Sequence, residues 1–544
     1  MKERFFETIN ENGARQWLMV ASAILTGLTL IASKLGFLQW ITLIPLALAL
    51  IPLASDRGIR LRKMYKYGFL FFMCFYVVVY HWFIYLFPLD FVDGMNPFGA
   101  FVVVLAGVFG LSLLQSLTAS LFFVLFAVLC RGRIAERCPL LKPFLAAGLW
   151  VILEWSQTLG WIGVPWARLA IGQSEYTVGI QIASLFGSYL ITFLIVAVNF
   201  CIGYGILRLA DTDKKRALRL PVICAAAMLI FQYGAGALIY SIDRGCKENP
   251  SVRVAAIQPN ISSNEKWSLS LTQKTFELCE RYTAEAAEAG AEIVLWPETA
   301  IPFSLEEGEM SHDFVSGLAV KYNVTIIAGG YMDAEDGAEY NALVCFLPDG
   351  SDIDSFYAKR HLVPFGEYVP MRKLFSILIP PLTELVLGGY VLDSGEGAQI
   401  IEIDSLSVGS LICFDSIYET LSLESVRAGA DVIFLSTNDS WFTRSAALSM
   451  HNAQARLRAV ETNRYVVRSA NTGKSSIITP KGEITESLGA LKGGFIIDDI
   501  YPTETRTLYS RVGNLFVYMV ILLITIVIFC DIYTIKNKRR VLTF

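Results

Sequence analysis

The feature that most constrains this chain is a series of long apolar runs joined by short, strongly basic loops. Seven runs lie at roughly 16–33, 37–54, 67–87, 99–130, 143–160, 178–207 and 220–240, and an eighth at 514–535. A membrane-spanning helix needs about 20 apolar residues. The two longest runs exceed that, which tilt or continuation past the interface accommodates. The first run is not expected to be a cleaved signal, because a second follows almost at once without a small-residue cleavage site. Composition points the same way: only 17% of the 544 residues are charged, against about 25% in average soluble chains. The sequence predicts a polytopic α-helical membrane domain of about eight spans.

Lys and Arg in short loops set the orientation, because such loops stay cytoplasmic. SDRGIRLRKMYK carries Arg57, Arg60, Arg62, Lys63 and Lys66; RGRIAERCPLLK carries Arg131, Arg133, Arg137 and Lys142. RLADTDKKRALRL adds Arg208, Lys214, Lys215, Arg216 and Arg219, and the tail reads KNKRR. The intervening loops are poor in positive charge; GWIGVPWARLAIGQSEY has only Arg168. This alternation predicts cytoplasmic termini. The expected division is a membrane domain at 1–242 with seven spans, an extracytoplasmic domain at 243–510, and a last span with a basic cytoplasmic tail at 511–544.

Within 243–510 the period of the pattern changes. Short runs rich in β-branched residues, at 252–258, 292–298, 324–331, 342–348, 408–414, 431–437, 465–471 and 475–480, alternate with helical stretches such as 267–289. Nearly continuous apolar strands belong to sheets covered on both faces, so an α/β domain is expected. A net charge of −4, without basic clusters interleaved with aromatics, argues against a nucleic-acid partner. Ten cysteines show no disulfide framework or CxxC spacing, and four histidines form no ligand pair, so no metal or cofactor is expected.

Chemistry in α/β sheets gathers at the C-terminal ends of strands. Three such ends stand out: VLWPETAIP with Glu298, FYAKRHLVPFGEYVP with Lys359 and Glu367, and VGSLICFDS with Cys413. A lone cysteine packs as a small hydrophobe in most proteins, and Cys413 admits that reading. Beside a carboxylate and an ammonium it also admits another. A carboxylate can deprotonate a thiol as general base, while a lysine can stabilise an oxyanion or depress the thiol pKa.

These residues resemble the carbon–nitrogen hydrolase (nitrilase) superfamily, with its Glu-Lys-Cys set and its αββα sandwich. WPET, YAKRHLVPFGEY, ICFDS and STNDSWF (436–442) follow in the family's order. VAAIQPNISSNEKW, ending in Trp267, resembles the start of its catalytic domain, and LEWSQTLGWIGVPWARLAIGQ (153–173) a segment of its membrane half. On eight spans the whole is similar to the apolipoprotein N-acyltransferases of the bacterial inner membrane. The resemblance implies Cys413 as nucleophile, Glu298 as general base and acid, and Lys359 as oxyanion stabiliser. It implies Glu367 as a supporting carboxylate, Trp267 near the substrate entrance, and Trp441 with Phe442 beside the pocket. It further implies ping-pong transfer of an acyl chain from a phospholipid, through a thioester, to the α-amine of a diacylglyceryl-cysteine on an apolipoprotein, without cofactor or metal. A membrane-tethered amidase or nitrilase acting on a small extracytoplasmic substrate is the alternative reading.

Two departures stand in the motifs. Phe414-Asp415 replaces the family's usual aromatic-Glu pair, so any contact of the longer acid has to be rebuilt or bridged by water. Thr443 stands where Gly is usual, and fits badly if the loop needs positive φ. LFSILIPPLTELVLGGY (374–390) is apolar and Pro-broken, and is expected as an arm dipping into the lipid surface. Trp166 and Gln173 read as interface residues rather than lipid-cavity lining, and His361 as a structural hydrogen-bonding residue.

Overall fold

The computed structural model describes residues 12–89, 95–160, 163–211, 216–242, 250–262, 269–333, 337–351, 355–378 and 392–541. The chain folds as two compact units. One comprises Met1–Phe83, Leu105–Ser241 and Val512–Phe544; the other comprises Ile84–Val104 and Ile242–Arg511.

Among the described residues seven helices are long and apolar enough to cross a membrane: Gly13–Ile31, Ser33–Ser55, Leu61–Leu86, Pro97–Cys130, Ser188–Leu209, Leu218–Ser241 and Leu515–Thr534. The run expected at 143–160 forms a shorter helix, Leu141–Ser156. The run expected at 178–207 is divided. Two one-turn helices end at Gly187, whose φ of 73° only glycine adopts freely, and the long helix starts at Ser188. The loops sort by charge within this unit. Arg57 donates to Glu136 and to the Arg131 carbonyl, each at 2.8 Å, and Arg133 reaches the Thr534 carbonyl at 2.9 Å, so these basic segments gather at one end. The loops poor in positive charge meet elsewhere: Tyr176 donates to the Lys34 carbonyl at 2.9 Å, and buried Gln173 to the Gly36 carbonyl at 2.7 Å. Trp166 is also buried, with its ring 5.6 Å from that of Trp82.

The second unit is built on twelve strands: β1 Val252–Gln258, β2 Ile293–Leu295, β3 Thr325–Asp333, β4 Glu339–Phe346, β5 Tyr357–Ala358, β6 Ile400–Ile403, β7 Leu406–Ile412, β8 Val432–Thr437, β9 Tyr465–Ala470, β10 Ser475–Ile478, β11 Ile484–Leu488 and β12 Gly494–Ile500. They form two six-stranded sheets, ordered β12-β1-β2-β3-β4-β5 and β11-β10-β9-β8-β7-β6. Each has three parallel strands at its centre, β1-β2-β3 and β7-β8-β9, flanked by antiparallel partners.

Alternation of side chains along each strand explains the layers. Val254, Ala256, Leu295 and Ile327 of the first sheet share a hydrophobic core with Val408, Ile412, Phe434 and Val467 of the second. Their neighbours Ala255, Ile257, Val294 and Ile326 point the other way, into a second core with Cys279, Tyr282, Val315 and Leu318 from helices Leu269–Glu288 and Met310–Tyr322. Helices Glu419–Ala428 and Ala447–Thr462 cover the second sheet. The result is the αββα sandwich, with the parallel strands ending in one neighbourhood.

Candidate active site

Glu298 comes three residues after β2, in a turn where Thr299 has φ 44°. Gly329 of β3 makes room for that turn: a Cβ there would sit 2.5 Å from the Pro297 carbonyl oxygen and 2.7 Å from the Thr299 nitrogen. Glu298 is buried, and three donors aim at its carboxylate. Lys359 Nζ lies 2.8 Å and Asn341 Nδ2 2.9 Å from Oε1, and the Asn438 N–H donates to Oε2 at 2.8 Å. The last of these comes from the loop after β8, so the acid is held by both sheets.

Lys359 directly follows β5 and is 1% exposed. Its ammonium bridges Glu298 at 2.8 Å and Glu367 Oε1 at 2.7 Å. Glu367 is tied back by the Val363 N–H at 2.7 Å and by Asn341 at 3.3 Å. Burial alone would disfavour the ammonium, but the two carboxylates override it and hold the lysine pKa above its ordinary value.

Cys413 directly follows β7 and takes φ 49°, a left-handed conformation unusual for a residue with a side chain. Such strain is held only where the surroundings over-determine it. The residue is half-buried, and its sulfur lies within the charges of Glu298, Lys359 and Asp439. Burial and then the Glu298 charge push its pKa up, with Lys359 and Thr437 acting the other way, so the group rests as a thiol.

Asp415 is fully buried. It accepts from the His361 N–H at 2.8 Å, the Tyr357 hydroxyl at 3.0 Å and the Ile412 N–H at 3.1 Å. The shorter acid therefore reaches its donors directly, and clamps the lysine-bearing segment to the end of β7. Phe414 packs edge-on against Tyr418, with ring centroids 5.5 Å apart. His361 stacks on the same Tyr418 at 4.0 Å.

Trp441 lies half-buried in the 3-10 turn Asp439–Phe442, and Phe442 meets the His451 ring edge-on at 6.4 Å. The loop does require positive φ at Thr443, which takes 44°, so threonine is strained there. Trp267 lies outside the described residues, as does most of the expected arm; of that arm, helix Arg372–Leu378 is described, with Ile377 79% exposed. Asn341, Thr437, Asn438, Asp439, His451 and Arg468 were not among the expected residues. Asp439 sits inside STNDSWF and was legible as an acid at a strand end; Asn341, in a strand interior, carries no such signal.

Residues 253–509 match the carbon-nitrogen hydrolase family, and residues 22–201 match the apolipoprotein N-acyltransferase N-terminal domain. The apolipoprotein N-acyltransferase of Geobacter metallireducens is 31% identical over 510 residues, covering 93% of each chain. That of Gloeobacter violaceus is 29% identical over 482 residues, covering 89% of this chain and 87% of its own. Among solved structures, Saccharomyces cerevisiae Nit3, a member of branch 10 of the nitrilase superfamily, is 22% identical over 48% of this chain and 94% of that one, with a TM-score of 0.37. Both halves matching in order, and a relative at this identity over nearly the full length, place the chain in the apolipoprotein N-acyltransferase family.

Proposed function

We propose that Cys413 takes an acyl chain from a membrane glycerophospholipid as a thioester and passes it to the α-amine of a diacylglyceryl-cysteine on an apolipoprotein. Family membership makes the chain an acyltransferase with lipid and lipoprotein substrates in a membrane. The donor, the acceptor and the residue roles are our reading. The observation that carries them is Lys359, buried between Glu298 and Glu367 at 2.8 and 2.7 Å, beside a thiol at a strand end.

In the first half-reaction the Cys413 proton passes to Glu298 as sulfur attacks the ester carbonyl, because the resting thiol is a poor nucleophile. Lys359, already charged and fixed by two carboxylates, faces the oxyanion that forms. The intermediate collapses with loss of the C–O bond, and the leaving lysophospholipid oxygen takes the proton from Glu298. In the second half-reaction the acceptor amine attacks the thioester carbonyl. Glu298 removes its surplus proton, the C–S bond breaks, and the sulfur regains a proton as the amide leaves. A thioester suits this sequence because an amine can capture it. Glu367 and Asn341 keep the Lys359 ammonium aimed at this point. The basic loops support a cytoplasmic position for both termini and an extracytoplasmic one for the sandwich, in the inner membrane.

The test is mass analysis of the Cys413 peptide after incubation of the full chain with phospholipid and no acceptor. The expected result is an acyl adduct on Cys413, absent from Cys413→Ala and discharged by a diacylglyceryl-cysteine peptide. A folded protein without adduct across several phospholipids would overturn the reading.

A further inference from the structure

Glu298 and Cys413 stand on different sheets, the acid after β2 and the thiol after β7. The core between the sheets is apolar, and apolar packing is non-directional. Such packing holds the sheets together but does not fix the acid against the thiol. Directional ties cross the interface at the catalytic end. The Ser436 hydroxyl of β8 donates to the Trp296 carbonyl, and the Ser469 hydroxyl of β9 to the Ile257 carbonyl, each at 2.7 Å.

Asn471, directly after β9 and 3% exposed, commits all four of its polar groups to neighbouring strand ends. Its Oδ1 accepts from the Ile261 N–H at 3.0 Å, and its Nδ2 donates to the Ile261 carbonyl at 2.7 Å. An N–H only donates and a carbonyl only accepts, so this pair fixes which way the amide points. Nδ2 also donates to Asn438 Oδ1 at 3.0 Å, an oxygen that accepts from the Ser440 N–H at 3.4 Å as well. The main chain adds two bonds. The Asn471 N–H donates to the Thr437 carbonyl at 3.1 Å, and its carbonyl accepts from the Asn260 N–H at 2.9 Å. Asn260 takes φ 59°, a left-handed conformation that asparagine tolerates better than most residues. Asn438 in turn gives its own N–H to Glu298 Oε2 at 2.8 Å. One side chain thus joins the ends of β1, β8 and β9, and no step of the proposed reaction uses it.

We propose that Asn471 is a positioning residue for acyl transfer: by orienting Asn438, it sets the Glu298 carboxylate against the Cys413 thiol. The proposal rests on Glu298 as the base and Cys413 as the acyl carrier. None of the Asn471 bonds reaches a reacting atom, and its amide stays neutral, so no proton moves through it. Proton transfer needs the base within hydrogen-bond reach, and small misplacements of a catalytic group slow the chemistry steeply. Without Asn471 the acid keeps its bonds to Lys359 and Asn341, so the loss is partial.

The experiment uses the full chain in nanodiscs of ether-linked lipid doped with rising fractions of an ester phospholipid, and follows the acyl adduct on the Cys413 peptide by mass. Asn471→Ala should slow adduct formation about tenfold at the highest donor fraction, with the half-saturating fraction unchanged. Asn438→Ala breaks the same bond from the other side, keeps its N–H, and should slow it by a similar factor. Because both act through one link, the double variant should also be about tenfold slower, whereas independent effects would multiply to about a hundredfold. Asn471→Asp keeps the shape and the bond from the Ile261 N–H but lacks both donors; it replaces Asn471→Ala should that variant not fold. Variants that acylate at the parent's rate would overturn the proposal, whatever their melting temperature. So would a hundredfold loss in the double variant, or a change confined to the half-saturating fraction. No adduct in the parent would strike the reading of Cys413 as acyl carrier and the proposal with it; a parent adduct with unslowed variants would strike the proposal alone.

Discussion

Two buried ionic clusters sit side by side at the ends of the parallel strands, and they are built to opposite rules. Around Lys359 one cation faces two carboxylates, and Glu367 keeps 14% of its side chain exposed. Around Asp439 one carboxylate faces Arg468 and His451, and neither Asp439 nor Arg468 has any exposed surface. The first cluster is over-supplied with negative charge and open toward the thiol. The second gathers its donors around a single carboxylate and is closed to solvent. A buried carboxylate held by an opposite charge and several hydrogen bonds serves as framework, whereas an unbalanced cluster beside a reactive atom can change its proton count as chemistry proceeds. On the proposed reaction, the first cluster supplies the charges that act on substrate and the second holds them in place.

The sharpest way to break this distinction is Lys359→Met. Loss of a charge aimed at the oxyanion should slow adduct formation on the order of a thousandfold, and two carboxylates left without their cation should lower the melting temperature as well. Adding Glu367→Gln removes one of the orphaned charges. The double variant should regain much of the stability and none of the acylation, read by thermal unfolding and by Cys413 peptide mass. Recovery of both together would mean that Lys359 acts only as a strut.

Asp439→Asn should behave the other way, with stability as its primary loss. It leaves Arg468 buried without its anion, at a cost of about 3–5 kcal/mol. The pH dependence identifies the cause. Burial alone would raise the Asp439 pKa, but Arg468 and His451 outweigh it and hold the group at about 2, below its ordinary 3.8. A depressed carboxyl contributes stability that is complete above 3.8 and disappears as pH falls toward 2. The gap in melting temperature between parent and Asp439→Asn should therefore be widest near neutrality and narrow in acid. A gap independent of pH would show that the carboxylate's charge is not what stabilises the site.

How much of this was legible beforehand depended on whether a contact is local. The apolar runs announced the membrane helices, because twenty-odd apolar residues leave few other options. The break at Gly187 was hidden inside one such run, as an apolar stretch carries no mark of a turn beyond the glycine itself. In the sandwich, β1, β3, β7, β8 and β9 lie where buried β-branched runs predicted them. Strands β5, β6, β11 and β12 went unnoticed: β5 has two residues, β6 four, most of β11 is exposed, and β12 ends among the acids Asp498 and Asp499. At the site, Glu298, Lys359, Glu367 and Cys413 each lie on a motif. Of the second cluster only Asp439 does, inside STNDSWF. His451 lies 12 residues from Asp439 and Arg468 lies 29, and only the register of β9 against β8 and the seating of one helix bring them together.

Asp415 gives the smallest expected effect and the finest comparison, since it is as buried as Asp439 and shifted the opposite way. Its partners are two backbone N–H groups and the Tyr357 hydroxyl, all neutral. Burial therefore prevails over these donors and over the Lys359 charge, raising the carboxyl from 3.8 to about 6. A raised carboxyl contributes stability that is complete below 3.8 and is lost as pH climbs through 6. Asparagine in its place has one acceptor oxygen instead of two and stays neutral throughout. It should leave a donor unpaired at low pH, costing about 1–3 kcal/mol. Asp415→Asn should thus be less stable than the parent near pH 4, and the gap should close as pH rises toward 7, because only the parent has to bury a charge there. Melting temperatures at four or five pH values would settle the matter. A gap that widens with pH would mean that Asp415 is stabilised as an anion, and that its role resembles that of Asp439 after all.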